Sequence, residues 1–282
     1  MKLLSQNWWK LLLIVCAALI ARVLMLQLLP LSPTFELPLS FIAQAIGMMP
    51  TAATVITLCY LVIAVVLLYV QEGLPGGRLA RAAACGLSFS FFWFVGVLET
   101  VPALGKPLAP ELLVGLADIV PVIILGVSIS VWTSSDTTRS RETRSLWQSA
   151  ASVAMVASAY FVGRYFLYTV VHVNSGYLTR EGATFGWTLA MGLAVGVMYA
   201  LLRGGIKGRD PWRRGIWFGL VVFGIVWTLS NFFMPIVFDM SFIAFDPPIL
   251  NYAWRVVVDV LSVIVGGWMA EVAGATELHS RS

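Results

Sequence analysis

Charge is scarce in this chain. Asp, Glu, Lys and Arg make up 11% of its 282 residues, where a soluble domain carries about 25%, so there is too little polar surface to clothe a water-soluble enzyme. Histidine is nearly missing, with two residues, and the three cysteines form no Cys-x-x-Cys pair, which removes the usual spacing of zinc and haem sites. No Gly-x-x-x-x-Gly-Lys-Ser/Thr, His-Glu-x-x-His or Gly-x-Ser-x-Gly motif occurs. That excludes the common signatures of nucleotide hydrolases, zinc proteases and serine hydrolases. No cofactor or metal is expected from the residues that remain.

Apolar runs take the place of charge. Hydrophobic residues occupy 59% of positions and the mean hydropathy is +0.88. Windows of about 20 residues, the length needed to cross a bilayer, pick out segments 9–29, 51–70, 82–104, 112–133, 147–171, 185–202, 215–237 and 250–270. Lipid offers no partner to an unpaired N–H or C=O, so runs of this kind predict helices. The expected fold is all-α, a polytopic integral membrane protein with about eight transmembrane helices. The first run exceeds a signal-peptide core and is followed by Pro30-Leu31-Ser32-Pro33 rather than a small-residue cleavage site, so it is expected to stay as a span.

Lys and Arg sort strongly between alternate connections. One side receives thirteen, including Arg78, Arg81, Arg139, Arg141, Arg144, Arg203, Lys207, Arg213 and Arg214, and the other only Lys106 and Arg180. By the positive-inside rule both termini are expected in the cytoplasm. The net charge of +4 then reports topology, and no nucleic-acid partner is expected. Short connections without glycosylation sequons or sorting signals fit a bacterial cytoplasmic membrane. Residues 31–49, apolar but broken by Pro33 and Pro38, read as a re-entrant or interfacial segment; 238–249 reads similarly, or as a hydrophobic loop on the bundle.

The two halves resemble one another in layout. Residues 78–134 run from a basic start through a span with Trp93 and Pro102 to a span carrying Asp118; residues 213–270 repeat the order with Trp227, Pro235 and Asp259. Arg22 and Arg164 occupy matching places in the first and fifth spans. These matches predict a 4+4 internal repeat whose copies are parallel, because four is even. The expected division is a first half over 1–134, a cytoplasmic linker over 135–146, a second half over 147–272 and a tail over 273–282.

Six ionisable residues fall inside the spans: Arg22, Glu99, Asp118, Arg164, Arg255 and Asp259. A lone charge at the bilayer centre costs about 2.5–3.5 kcal/mol on insertion scales, so such groups face a partner or a cavity. All six fall in the outer half, and their signs cancel. Arg22 with Asp118, and Arg164 with Asp259, are the expected pairs; Arg255 and Asp259 are also one turn apart on a helix, and Glu99 is near enough to its span end to reach the interface. Three readings stay open: a polar pocket that binds a zwitterion, an anion or a lipid head group, buried ion pairs that fix helix register, and proton coupling through Asp118 or Asp259. Trp93, Trp187, Trp227, Trp254 and Trp268 read as lipid-facing or interfacial aromatics. Gly192-x-x-x-Gly196 and Gly215-x-x-x-Gly219 permit close helix approach.

Two enzymatic resemblances meet obstacles in the sequence. Intramembrane aspartyl proteases use Gly-x-Gly-Asp, whereas this chain has Gly115-Leu116-Ala117-Asp118 and Val257-Val258-Asp259. Ala84-Cys85-Gly86-Leu87-Ser88 resembles the nucleophile segment of exosortase-like transpeptidases, with Arg164 and His172 downstream. However, Cys85 falls in the cytoplasmic half of its span and the other two toward the outside. The leading expectation is a transporter or lipid-handling permease with a charged outer pocket, its partners being membrane lipids and a small-molecule or lipid substrate. A non-catalytic subunit bound to another membrane protein, and an intramembrane enzyme, are the alternatives.

Overall fold

The computed structural model describes residues 2–29, 37–133, 145–173, 175–240 and 248–279. Eight helices in it are long and apolar enough to cross a membrane: spans 1 (Leu3–Leu28), 2 (Met48–Gly73), 3 (Arg78–Leu104), 4 (Leu108–Thr133), 5 (Leu146–Val171), 6 (Glu181–Gly205), 7 (Pro211–Val237) and 8 (Leu250–Gly274). An even number returns the chain to its starting side, so both termini lie on one face. Spans 3 to 7 begin one to four residues before the predicted starts, and span 2 three residues before. The early turns carry polar residues that lower a hydropathy window yet suit a helix start. Asp210 caps span 7 through the Arg213 N–H ahead of Pro211, and Ser145 with Gln148 forms a reciprocal capping box at span 5, satisfying N–H groups that have no carbonyl a turn earlier.

Each side of the bundle uses the same packing scheme. Span 1 packs on spans 2 and 4, and span 3 on span 4; correspondingly span 5 packs on spans 6 and 8, and span 7 on span 8. The two groups meet where span 3 lies on span 6 and span 2 on span 7. Exchanging each span for the one four places on carries this set of contacts onto itself, whereas the contact of span 2 with span 4 has no counterpart of its size between spans 6 and 8. The ends of spans 2 and 6 also match, each closing in a 3-10 turn, Gln71–Gly73 and Arg203–Gly205, and those turns touch. Close approach there depends on glycine, since a Cβ on Gly73 would sit 2.6 Å from the Gly204 carbonyl oxygen. The Gly192 and Gly196 pair works likewise, with Cβ positions 2.8 and 2.6 Å from carbonyl oxygens of span 5.

Large apolar side chains such as Ile20, Val23, Val162, Phe166 and Leu261 lie exposed on the periphery, as lipid requires. Of the segment expected to be re-entrant or interfacial, residues 37–49 are described. Phe41–Ile46 forms a short helix capped by Ser40, with Phe41 and Ile46 exposed, and its leading strand-like stretch is fastened to the end of span 7 by Ser40 N–H to the Val237 carbonyl (3.1 Å) and Asp239 N–H to the Pro38 carbonyl (2.8 Å). Residues 48 and 49, read as part of that segment, begin span 2 instead. Residues 30–36, most of the 135–146 linker and 241–247 lie outside the described residues.

Candidate functional site

All six expected residues sit in the half of the bundle away from the termini, and they assemble into two matching units. In the first, Arg22 of span 1 grips Asp118 of span 4 side-on, Nε to Oδ1 at 2.7 Å and Nη2 to Oδ2 at 3.3 Å, while the Trp93 indole of span 3 donates to Oδ2 at 3.2 Å. In the second, Arg164 Nη2 of span 5 lies 2.7 Å from Asp259 Oδ2 of span 8, and the Trp227 indole of span 7 donates to the same oxygen at 2.7 Å. Both expected ion pairs are present. A carboxylate that accepts from an indole and faces a guanidinium keeps its charge compensated in surroundings that would otherwise reject it.

The surroundings of the two units differ. Arg164 and Asp259 are fully buried. The Arg164 guanidinium lies 4.9 to 5.5 Å from the ring centroids of Trp187, Tyr160 and Trp227, within cation–π reach. It also donates through Nε to Tyr160 Oη at 3.0 Å and through Nη1 to Glu99 at 2.9 Å. Glu99 does not run out to the interface. Span 3 breaks between Val97 and Thr100, and Glu99 at the break turns inward, where one oxygen accepts from Arg164, from Arg255 Nη2 at 2.5 Å and from Tyr177 Oη at 2.7 Å. Burial holds the Tyr177 phenol well above its usual pKa, so it stays a neutral donor. Arg255 pairs with Glu99 and no direct Arg255–Asp259 ion pair is found among the described residues.

Arg22, in contrast, borders a cavity of about 280 Å³ enclosed by spans 1 to 4 on one side and spans 7 and 8 on the other. Arg22, Glu99, Asp118 and Arg255 line it; Arg164 and Asp259 do not, being sealed behind Trp227 and Glu99. Sequence reasoning missed a third ion pair in the wall, Lys106 Nζ to Glu111 Oε1 at 3.3 Å, with Thr100 donating to Glu111 at 2.7 Å. Both residues flank the break after Leu104, where Gly105 adopts φ +74° and the Arg180 guanidinium occupies the space a side chain would need. The apolar part of the wall comes from Phe92, Val97, Phe233, Met234 and Met240.

Several aromatics read as lipid-facing point the other way. Trp93, Trp187 and Trp227 are 7%, 5% and 2% exposed and surround the charges, while Trp254 remains exposed as expected. A lipid-facing helix is apolar on every side, so composition does not separate a tryptophan that meets acyl chains from one that donates to a buried aspartate. The available signal was positional: each inward tryptophan shares a layer with an intramembrane aspartate. Asp118 and Asp259 each occupy their own arginine and tryptophan and do not pair with each other. Cys85 is fully buried against Gly126 of span 4.

A further cluster lies at the terminal face of the second half. Glu271 accepts from Tyr199 Oη at 2.6 Å and from Arg203 Nε and Nη2 at 2.9 and 2.6 Å, and pairs with Arg214 at 3.0 Å. At the corresponding end of the first half the Gln71 amide donates to Thr133, and the buried Arg81 donates through Nε to the Gly76 carbonyl at 3.1 Å. Chemically, the arrangement offers fixed charges of both signs around a partly apolar cavity. Comparison with protein-family models, with curated proteins and with solved structures finds no match to this chain.

Proposed function

We propose that the chain is a permease or lipid-handling membrane protein built from two parallel four-helix halves, with its termini in the cytoplasm. Its cavity takes a zwitterionic or anionic small molecule, or a lipid head group, from the outer half of the bilayer. The observation that carries this reading is the cavity itself, lodged between the halves and bordered by Arg22, Arg255 and Lys106 against Glu99, Glu111 and Asp118. Sites between repeats, near the middle of the membrane, are where transporters place their substrates. The Lys and Arg asymmetry supports the orientation, and the cell membrane as its location.

Parallel duplication is supported by the self-matching packing scheme, the two Arg–Asp–Trp units and the two touching 3-10 turns. Spacing within spans 4 and 8 adds to it: Asp118 precedes Gly126, and Asp259 precedes Gly267, by the same interval, and Gly126 packs on span 3 as Gly267 packs on span 7. The register-fixing reading of the charges applies best to Arg164 and Asp259, which no ligand in the cavity reaches. The pocket reading applies to Arg22 and Asp118.

A double substitution tests this division. Arg22→Ala with Asp118→Ala removes both charges of the pair together, leaving neither uncompensated. The expected result is a protein that still folds and elutes as a single species, yet no longer shows a melting shift with zwitterionic or anionic head-group compounds. An unchanged ligand response in that variant would overturn the pocket.

A further inference from the structure

Two polar atoms of residues that line the cavity are buried with no hydrogen-bond partner among the described residues: the Asn231 side-chain oxygen and the Arg255 Nε–H. Each residue is only 5% exposed. The orientation of the Asn231 amide is decided by its surroundings. Its Nδ2 donates to the Trp227 carbonyl at 3.0 Å, and turning the amide over would set two oxygens against each other, so Oδ1 is the end left over. Arg255 spends Nη2 on Glu99 and keeps Nε–H in reserve. Buried native polar groups are seldom left without partners.

The charges of the wall constrain what supplies those partners. Three cations and three anions border the cavity, so an occupant with a net charge would leave that charge uncompensated in a poorly polarisable setting. The complement of the site is a neutral whole that contains an acceptor for Arg255, an N–H donor for Asn231 and an apolar part for Phe92, Phe233 and Met234. Resting on the reading of this cavity as a ligand site, we propose that it binds a zwitterion carrying an anion and a primary ammonium. The anion faces Arg255 Nε and the ammonium donates to Asn231 Oδ1. A quaternary choline head has no N–H and is therefore discriminated against.

An ethanolamine phospholipid and a free ethanolamine phosphodiester or aminocarboxylate share this chemistry. The test uses the full-length protein in detergent, followed by thermal unfolding and by native mass spectrometry. Its probes are short-chain phosphatidylethanolamine, phosphatidylcholine and phosphatidylglycerol, and free glycerophosphoethanolamine, a phosphodiester that is a neutral zwitterion. The ethanolamine lipid is expected to bind about tenfold more tightly than the choline lipid, the worth of one charge-assisted hydrogen bond. Asn231→Leu, of similar volume, is expected to erase that preference while binding persists; if this variant fails to fold, the wild-type ranking decides alone. A lipid-only response identifies a head group of the bilayer, and an equal response to glycerophosphoethanolamine identifies a soluble substrate; both support the proposal.

Equal binding of the ethanolamine and choline lipids, a preference for phosphatidylglycerol, or a preference that survives in Asn231→Leu would overturn the zwitterion assignment. Each would leave the pocket standing, provided the Arg22 and Asp118 double variant still abolishes the shift. Silence from all four probes overturns the assignment and the pocket together.

Discussion

Arg22 and Arg164 occupy matching units, each with an aspartate four helices' worth of topology away from its counterpart and each with an indole donating to that aspartate, yet one borders a cavity and the other is sealed. The difference traces to one further carboxylate. Glu99, six residues beyond Trp93, reaches Arg164 and draws in Arg255 and Tyr177. Six residues beyond Trp227 stands Phe233, which lines the same cavity as Arg22 and brings no charge. A shared Arg–Asp–Trp trio is thus closed off where a second anion completes it, and borders a cavity where that anion is missing.

The comparison can be broken most forcefully at Asp259. Asp259→Asn leaves Arg164 fully buried with half its compensation, and losing one partner of a buried pair costs about 3–5 kcal/mol. Chemical unfolding in detergent micelles is expected to show that loss, and replacing both members, as Arg164→Met with Asp259→Leu, to recover most of it. Asp118→Asn should cost less, about 2 kcal/mol, because the Arg22 side chain is 20% exposed and its charge can be relieved from the cavity. Equal losses at the two aspartates would erase the distinction between brace and wall.

Two smaller changes sharpen it. Tyr177→Phe removes one donor to Glu99 and is expected to lower stability by about 1.5 kcal/mol, the worth of a hydrogen bond to a charged acceptor, with ligand response retained. Phe233→Glu supplies the second carboxylate that the first unit lacks. Its expected signature is the loss of the ligand-induced melting shift with little change in the unliganded melting temperature. A variant that still responds normally to ligand would separate Phe233 from the difference between the units.

Much of the architecture was legible because lipid permits so few solutions. Apolar runs long enough to cross a bilayer, joined by short links, leave helices as the only economical choice, and eight were read and found. Their starts were read late where Arg78, Arg81 and Glu111 open helices, since local capping chemistry and hydropathy disagree there. The pairing of Arg22 with Asp118 and of Arg164 with Asp259 was legible for a related reason: intramembrane charges are rare enough that depth and sign alone suggest partners. The partners of Glu99 were not legible because its direction depends on the helix break at Leu98, which precedes Pro102 and is not marked by any residue of its own.

The amino-acid sequence by itself determined that this is a helical, multi-pass chain with six ionisable residues at one level of its spans, because hydropathy and charge placement are properties of each segment taken alone. Only the tertiary structure decided which charges were completed and which were left facing a space. That distinction rests on the inward turn of Glu99, the caging of Arg164 by three aromatic rings and the amide of Asn231 held by a neighbouring carbonyl. Each of these depends on where helices distant in sequence come to rest against one another, a matter of packing that no single segment encodes.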